Sequence, residues 1–391
     1  MKSIQYRQPD LAAEISKKFL RIKIGHRIAK QKLALSFSKA RRAIQKRKGK
    51  MVKTKIIATL GPASNSYTVI RGMFAAGLDV VRLNFSHGSH GEHLHRLELA
   101  RQINKKYRRH IRIMQDLEGY RIRVGRFKGR NSRILKKRTI IRLVNGGDEG
   151  DPCFIPFDYK GDLTKIRPGE LIYIDDGNII LKVKSSSKKA IRAEVVEGGI
   201  LKQRKGINMP GVQLKFSGLT SKDKIDIEFG IRHKVDYLAQ SFVRNRKDVN
   251  AIRDIVKPRA PKCLIVAKIE SREAIKNIDE IIDASDGIMI ARGDMGISVP
   301  IYQIPIIQKH IIKKCNKKKK FVITATQMLE HMTEYSRPTR AEVTDVANAI
   351  LDGTNFVMLS AESAAGKFPA ESVKTMNDII KFTESHSPVK L

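Results

Sequence analysis

Beyond residue 50 the apolar positions gather into short continuous runs, each ending in polar residues. They are KIIATLG (55–61), VVRLNFS (80–86), IRIMQDLEG (111–119), YLAQSF (237–242), LIVAKIE (264–270), GIMIARG (287–293), FVITATQ (321–327) and FVMLSAE (356–362). Runs of this kind suit parallel strands covered on both faces. Most lead into segments such as NSYTVIRGMFAAG and SREAIKNIDEIIDAS, whose apolar residues recur at three and four behind a capping Ser or Asn. Eight strand–helix units in series predict the α/β class and a (β/α)8 TIM barrel, whose functional residues sit at the C-terminal ends of the strands.

Between the third and fourth runs the helical period disappears. From 125 to 214 the chain turns into short β-like stretches, RTIIRLV, LIYIDDG, NIILKVKS and IRAEVVEG, separated by Gly, Asp and Ser clusters. This predicts a small all-β lid domain inserted after strand three, on the face where a lid can exclude water. The expected organisation is a basic N-terminal extension (1–50), the first part of the barrel (51–124), the lid (125–214), the second part of the barrel (215–384) and a tail (385–391).

Composition narrows the setting. The 391 residues are 41% hydrophobic, enough for a large core, and no run approaches 18 apolar residues, so no membrane span is expected. No secretory signal is evident, and three separated cysteines, Cys153, Cys263 and Cys315, make no C-x-x-C pair, which points to reduced thiols. The net charge of +38 favours polyanions. Residues 1–50 hold sixteen Lys and Arg against Asp10 and Glu14, and a second cluster, KKCNKKKK (313–320), reads as a solvated helix end. Tryptophan is absent, which gives no stacking platform for single-stranded nucleic acid.

The strand ends carry the candidate chemistry. Side chains alternate along a strand, so Lys268 and Glu270 share the face of Leu264 and Val266 instead of simply marking its end. Asp294, Thr326, Arg82, Asn84 and Ser86 would converge on the same mouth. Two carboxylates without a neighbouring His or Cys suit Mg2+, a hard ion that takes oxygen ligands and leaves room for phosphates. Lys268 and Arg82 supply positive charge for a phosphoryl group, and backbone N–H groups at the Gly293–Asp294 turn offer a carboxylate site. Neither a P-loop nor a G-x-G-x-x-G motif occurs.

The same residues lie in longer motifs. TKIIATLGPAS, VRLNFSHG, IDDG, RKGINMPG, AKIE, IARGDMG, TATQML, SRPTRAEVTDVANAILDGTN and MLSAES, spread over 52–384, resemble pyruvate kinase from its first strand to its eighth. The resemblance implies transfer of the phosphoryl group of phosphoenolpyruvate to ADP, giving ATP and pyruvate. It gives Lys268 the phosphoryl group in flight, Glu270 and Asp294 the Mg2+, and Arg82 the phosphoryl oxygens. Gly293 and Asp294 lie on the substrate side, and Thr326 lies beside the enolate, in a water relay. Pro62, Asn84, His87, Arg123 and the lid's Lys205 match nucleotide-side positions, with Asp176 nearby.

Some motifs depart from the family. Its usual DTKGPEIR is here DLEGYRIR (116–123), with Leu117, Glu118, Tyr120 and Arg121 at the changed positions, and Ser298 stands where glutamate is usual. The family's monovalent-cation positions match Asn84, Ser86, Asp116 and Leu117. Members with DLQGPKIR resemble the potassium-independent kind, so Arg121 implies that K+ is not required. The family's C-terminal domain and sugar-phosphate site are not expected, nor an assembly beyond a homodimer. Residues 1–50 read as a basic arm dispensable for catalysis and able to touch RNA or other polyanions, or as an organelle-targeting peptide. The expected location is otherwise cytoplasmic. The alternative reading is a catalytically weak, pyruvate-kinase-like scaffold that binds RNA or ribonucleoprotein; a metal-dependent aldolase fits the lid less well.

Overall fold

A computed structural model describes residues 53–386, apart from 130, 146–152, 160, 176 and 211–218. The chain divides into a unit of residues 1–52 and a unit of residues 53–391; the described residues all belong to the second. The basic extension and Asp176 therefore lie outside the described residues.

Eight parallel strands close a barrel in sequence order: β1 (Lys55–Leu60), β2 (Val80–Asn84), β3 (Arg112–Asp116), β4 (Tyr237–Gln240), β5 (Leu264–Ile269), β6 (Gly287–Ala291), β7 (Phe321–Ala325) and β8 (Phe356–Leu359). The expected (β/α)8 barrel is what forms. Each apolar run extends one to three residues past its strand, because the polar ends have left the sheet and become the mouth.

Eight main helices cover the barrel: α1 (Tyr67–Ala76), α2 (His90–Tyr107), α3 (Ser221–Arg232), α4 (Arg246–Val256), α5 (Ile278–Ala284), α6 (Ile304–Lys317), α7 (Arg340–Leu351) and α8 (Pro369–His386). Their starts follow local chemistry. Ser66, Ser89, Thr220 and Thr339 accept backbone N–H groups at the first turns, and the last three form capping boxes with Glu92, Asp223 and Glu342. The expected helix from Ser271 breaks at Asn277 into Arg272–Lys276 and α5. The lysine cluster at 313–320 ends α6, with Lys314 and Lys318 paired to Asp279 and Asp283.

The barrel interior is graded along its axis. Tyr237, Phe321 and Phe356, the first residues of β4, β7 and β8, pack edge-on with ring centroids 5.6–6.2 Å apart and plug the N-terminal end. Above them lie Val80, Met114 and Val266. Two residues further along the same strands, about 7 Å higher, stand Arg82, Asp116 and Lys268. Strand alternation thus places a charged layer directly on an apolar one.

The lid is a separate β structure with its own core, running from Ile122 to Met209. One sheet has seven strands, in the order Ile122–Arg123, Gly206–Asn208, Leu171–Ile174, Ile179–Ser186, Ala190–Glu197, Ile140–Asn145 and Phe154–Phe157. A two-stranded ribbon pairs Ser132–Leu135 with Gly199–Lys202. Its first strand starts three residues before the expected boundary at 125, since Ile122 and Arg123 are too short a run to show a period of two.

Candidate active site

Lys268 is the hub of the mouth. Its ammonium is buried, donates to Ser241 Oγ at 2.6 Å, and lies 3.2 Å from Asp116 Oδ1 and 3.1 Å from Glu270 Oε1. Arg82 closes the other side: Nε donates to Asp116 Oδ2 at 2.7 Å and Nη1 to Thr59 Oγ1 at 2.9 Å. Asp116, fully buried, is thus gripped by two cations. These contacts exclude a solvated strand end at Lys268 and Glu270.

The electrostatics follow from burial and pairing. Burial pushes the Asp116 carboxyl up, but Lys268 and Arg82 outweigh it and hold it below the usual carboxylate range. Burial opposes the charge on Lys268 too, and Asp116 with Glu270 overcomes it, holding the ammonium above its ordinary value. Glu270 goes the other way: burial raises it, and the charge of Asp294 adds to that rise against the pull of Lys268. Two like charges thus meet at one mouth, each beside a cationic side chain.

Glu270 Oε2 accepts from the Phe242 N–H at 2.6 Å, where the backbone turns left-handed. Its Oε1 is buried and, beyond the ionic contact with Lys268, has no hydrogen-bond donor among the described residues. An all-oxygen pair with a spare buried lone pair fits a hard divalent ion. No group of three or more His, Cys, Asp or Glu arranged for a metal occurs among the described residues, so substrate and water oxygens would complete the shell.

Asp294 lies on the short helix Arg292–Ser298 after β6. The backbone N–H of Gly293, expected to be free for a carboxylate, donates to Thr326 Oγ1 at 2.8 Å. Thr326 Oγ1 in turn donates to the Ala325 carbonyl at 2.6 Å. A substrate carboxylate would therefore meet Gly293 and Thr326 already joined.

Two of the positions expected to hold a monovalent cation already offer oxygens to this chain's own donors. Asn84 Oδ1 accepts from the Ser86 N–H at 3.2 Å, and the Leu117 carbonyl accepts from Ser241 Oγ at 2.7 Å. Arg121 Nη2 lies 3.6 Å from Asp294 Oδ1. Arg123, two residues on, turns instead to Glu118, its Nε donating to Oε1 at 3.1 Å.

Among the residues expected to meet the nucleotide, Pro62 opens a short 3-10 turn, Pro62–Ser64, after β1. Burial holds His87 below the ordinary imidazole value, with Arg123 and Arg82 adding to the fall, which favours a neutral ring. Lys205 pairs with Asp175 Oδ1 at 2.6 Å. Sequence reasoning missed Thr59, Ser241 and Arg292. Thr59 and Ser241 were findable, since they lie two residues past the inward-facing Ile57 on β1 and Ala239 on β4; Arg292 carries no period that marks it.

Known proteins resemble this chain over most of its length. The family model for the pyruvate kinase barrel domain matches residues 51–373. The pyruvate kinase of Thermococcus litoralis is 47% identical over 335 residues, covering 85% of this chain and 70% of its own length. That of Clostridium perfringens is 44% identical over 339 residues, 86% of this chain and 71% of its own. A Staphylococcus aureus pyruvate kinase is 44% identical over 342 residues, 87% of this chain and 58% of its own. With the closed barrel and the cluster around Lys268, this extent of identity establishes that the chain belongs to the pyruvate kinase family.

Proposed function

We propose that this chain transfers the phosphoryl group of phosphoenolpyruvate to ADP, with Mg2+ at Glu270 and Asp294 and without a requirement for K+. The observation that carries the reading is the buried Lys268 ammonium, fixed by Asp116, Glu270 and Ser241 at the centre of the mouth. Phosphoryl transfer needs mainly positioning and charge neutralisation, and a desolvated cation held in place supplies both.

When bound, the metal ion neutralises charge on the substrate and the phosphoryl group. Lys268 and Arg82 face the phosphoryl oxygens, so the bond from phosphorus to the enol oxygen breaks as a β-phosphate oxygen of ADP forms its own. The nucleotide lies toward Pro62, Asn84, His87, Arg123 and Lys205. The enolate left behind takes a proton at its methylene carbon, giving pyruvate. Thr326 orders the water that delivers that proton, because a threonine hydroxyl is itself a poor acid.

Arg121 takes the part of the monovalent cation. Its guanidinium already stands at Asp294, and oxygens of Asn84, Asp116 and Leu117 are engaged by donors of this chain. The test is direct: the purified protein, given phosphoenolpyruvate, ADP and Mg2+ in Tris buffer free of sodium and potassium, should form pyruvate and ATP in equal amounts. No product under these conditions or with added K+ would refute the reading.

A further inference from the structure

Strand β7 ends at Ala325, and the next two residues, Thr326 and Gln327, have φ angles of 69° and 52°. Neither is glycine. Two consecutive left-handed residues with side chains are strained and persist only where their surroundings fix them. At this turn one side chain meets all three carbonyls. Arg292 Nε donates to the Ala325 carbonyl at 3.2 Å, and Nη2 donates to the carbonyls of Thr326 at 2.6 Å and Gln327 at 3.3 Å.

The clamp is itself anchored. Arg292 Nη1 reaches Asp345 of α7 at 2.7–2.8 Å and Gln308 of α6 at 3.4 Å, and the side chain is only 11% exposed. The next residue, Gly293, holds the Thr326 hydroxyl through its N–H at 2.8 Å. One planar guanidinium therefore spans three successive carbonyls and ties the ends of β6 and β7 to two helices. A lysine, with one compact charge, cannot span that row.

We propose that Arg292 is a positioning residue: it holds the Ala325–Gln327 turn in its left-handed form and so sets where the Thr326 hydroxyl stands. This rests on the reading of Thr326 as the group that orders the proton-delivering water. Arg292 then acts on the proton step through Thr326, not on the nucleotide or the metal.

The test separates proton transfer from the rest of turnover. Solvent exchange of the pyruvate methyl hydrogens, followed by NMR with Mg2+ and inorganic phosphate, reports the proton step alone; the coupled assay reports kcat and the KM for ADP. Arg292→Met should slow exchange by about 10²-fold, as a displacement on the order of 1 Å does, with the KM for ADP within about twofold of the parent. Adding Gln327→Gly should recover roughly tenfold, because glycine adopts the left-handed turn without a clamp. Should Arg292→Met fail to fold, Arg292→Lys keeps a charge for Asp345, loses the fork and gives the same readings.

Thr326→Ala is the control. Slow exchange in Thr326→Ala beside parental exchange in Arg292→Met, or a loss that Gln327→Gly leaves unrepaired, would overturn the clamp alone. Parental exchange in Thr326→Ala would overturn the reading of Thr326 and the clamp with it.

Discussion

Arg121 extends from the turn before the lid to within 3.6 Å of Asp294, a proposed metal ligand on the far side of the mouth. A cation thus stands beside the proposed phosphoryl site. A unit charge at about 4 Å is worth on the order of 4 kcal/mol at an effective dielectric of 20. A bound K+ would supply the same charge, and the two together would repel. Arg121→Glu should therefore lose turnover in potassium-free Tris and regain most of it on adding K+, while the parent responds little. A parent strongly activated by K+ would refute the substitution.

Lys268→Met should lower turnover by about 10³- to 10⁵-fold, the range seen when a cation is withdrawn from a transferring phosphoryl group. Its stability should fall as well. The substitution leaves Asp116 and Glu270 buried beside each other with one cation fewer, and breaking a buried pair in this way costs about 3–5 kcal/mol. Calorimetry should show a lower melting temperature and turnover assays the rate. A loss below tenfold would exclude Lys268 from the phosphoryl site.

Much of this was legible in the sequence because it depends on local periods. Strand alternation alone puts Lys268 and Glu270 on the inward face with Val266, and the serial order of eight runs gives the barrel. What was not legible depends on distance across the fold. Arg121 and Arg123 lie two residues apart with the same chemistry, yet one turns to Asp294 and the other to Glu118. Nothing in DLEGYRIR distinguishes them. Likewise ARGDMG shows Asp294 as a candidate ligand but gives no sign that Arg292 spans three carbonyls of the next strand's end.

His93 should make the fold sensitive to mild acid. Its ring is buried, stacks on Phe85 with centroids 4.1 Å apart, and donates from Nε2 to the His87 carbonyl. Burial lowers its pKa from 6.5 to about 4, against the upward pull of that hydrogen bond. The unfolded chain therefore binds a proton that the folded chain refuses. The stabilisation is full above pH 6.5 and is lost as pH falls toward about 4. It amounts to at most about 3 kcal/mol, at 1.36 kcal/mol per unit. Denaturant melts should show His93→Gln with a shallower fall in stability across that window; an unchanged slope would rule out His93 as the source.

Gly206→Ala isolates the Arg121 contact without touching a charge. Gly206 opens the lid strand Gly206–Asn208, and a Cβ placed there would lie 2.4 Å from Arg121 Nε and 2.8 Å from Nη2. The bare glycine backbone is what lets the guanidinium lie against the lid on its way to Asp294. The obstructing atoms are the far end of a flexible side chain, so the strand can accept alanine while Arg121 swings away. Stability should change by less than about 1 kcal/mol, the ordinary scale of strand substitutions. Turnover without potassium should fall, and added K+ should restore part of it, as in Arg121→Glu but more weakly, because the displaced arginine still carries its charge nearby. Combining Gly206→Ala with Arg121→Glu should add nothing beyond Arg121→Glu alone, since both act through one contact. Additive losses in that double variant would show that Gly206 serves the lid in some other way.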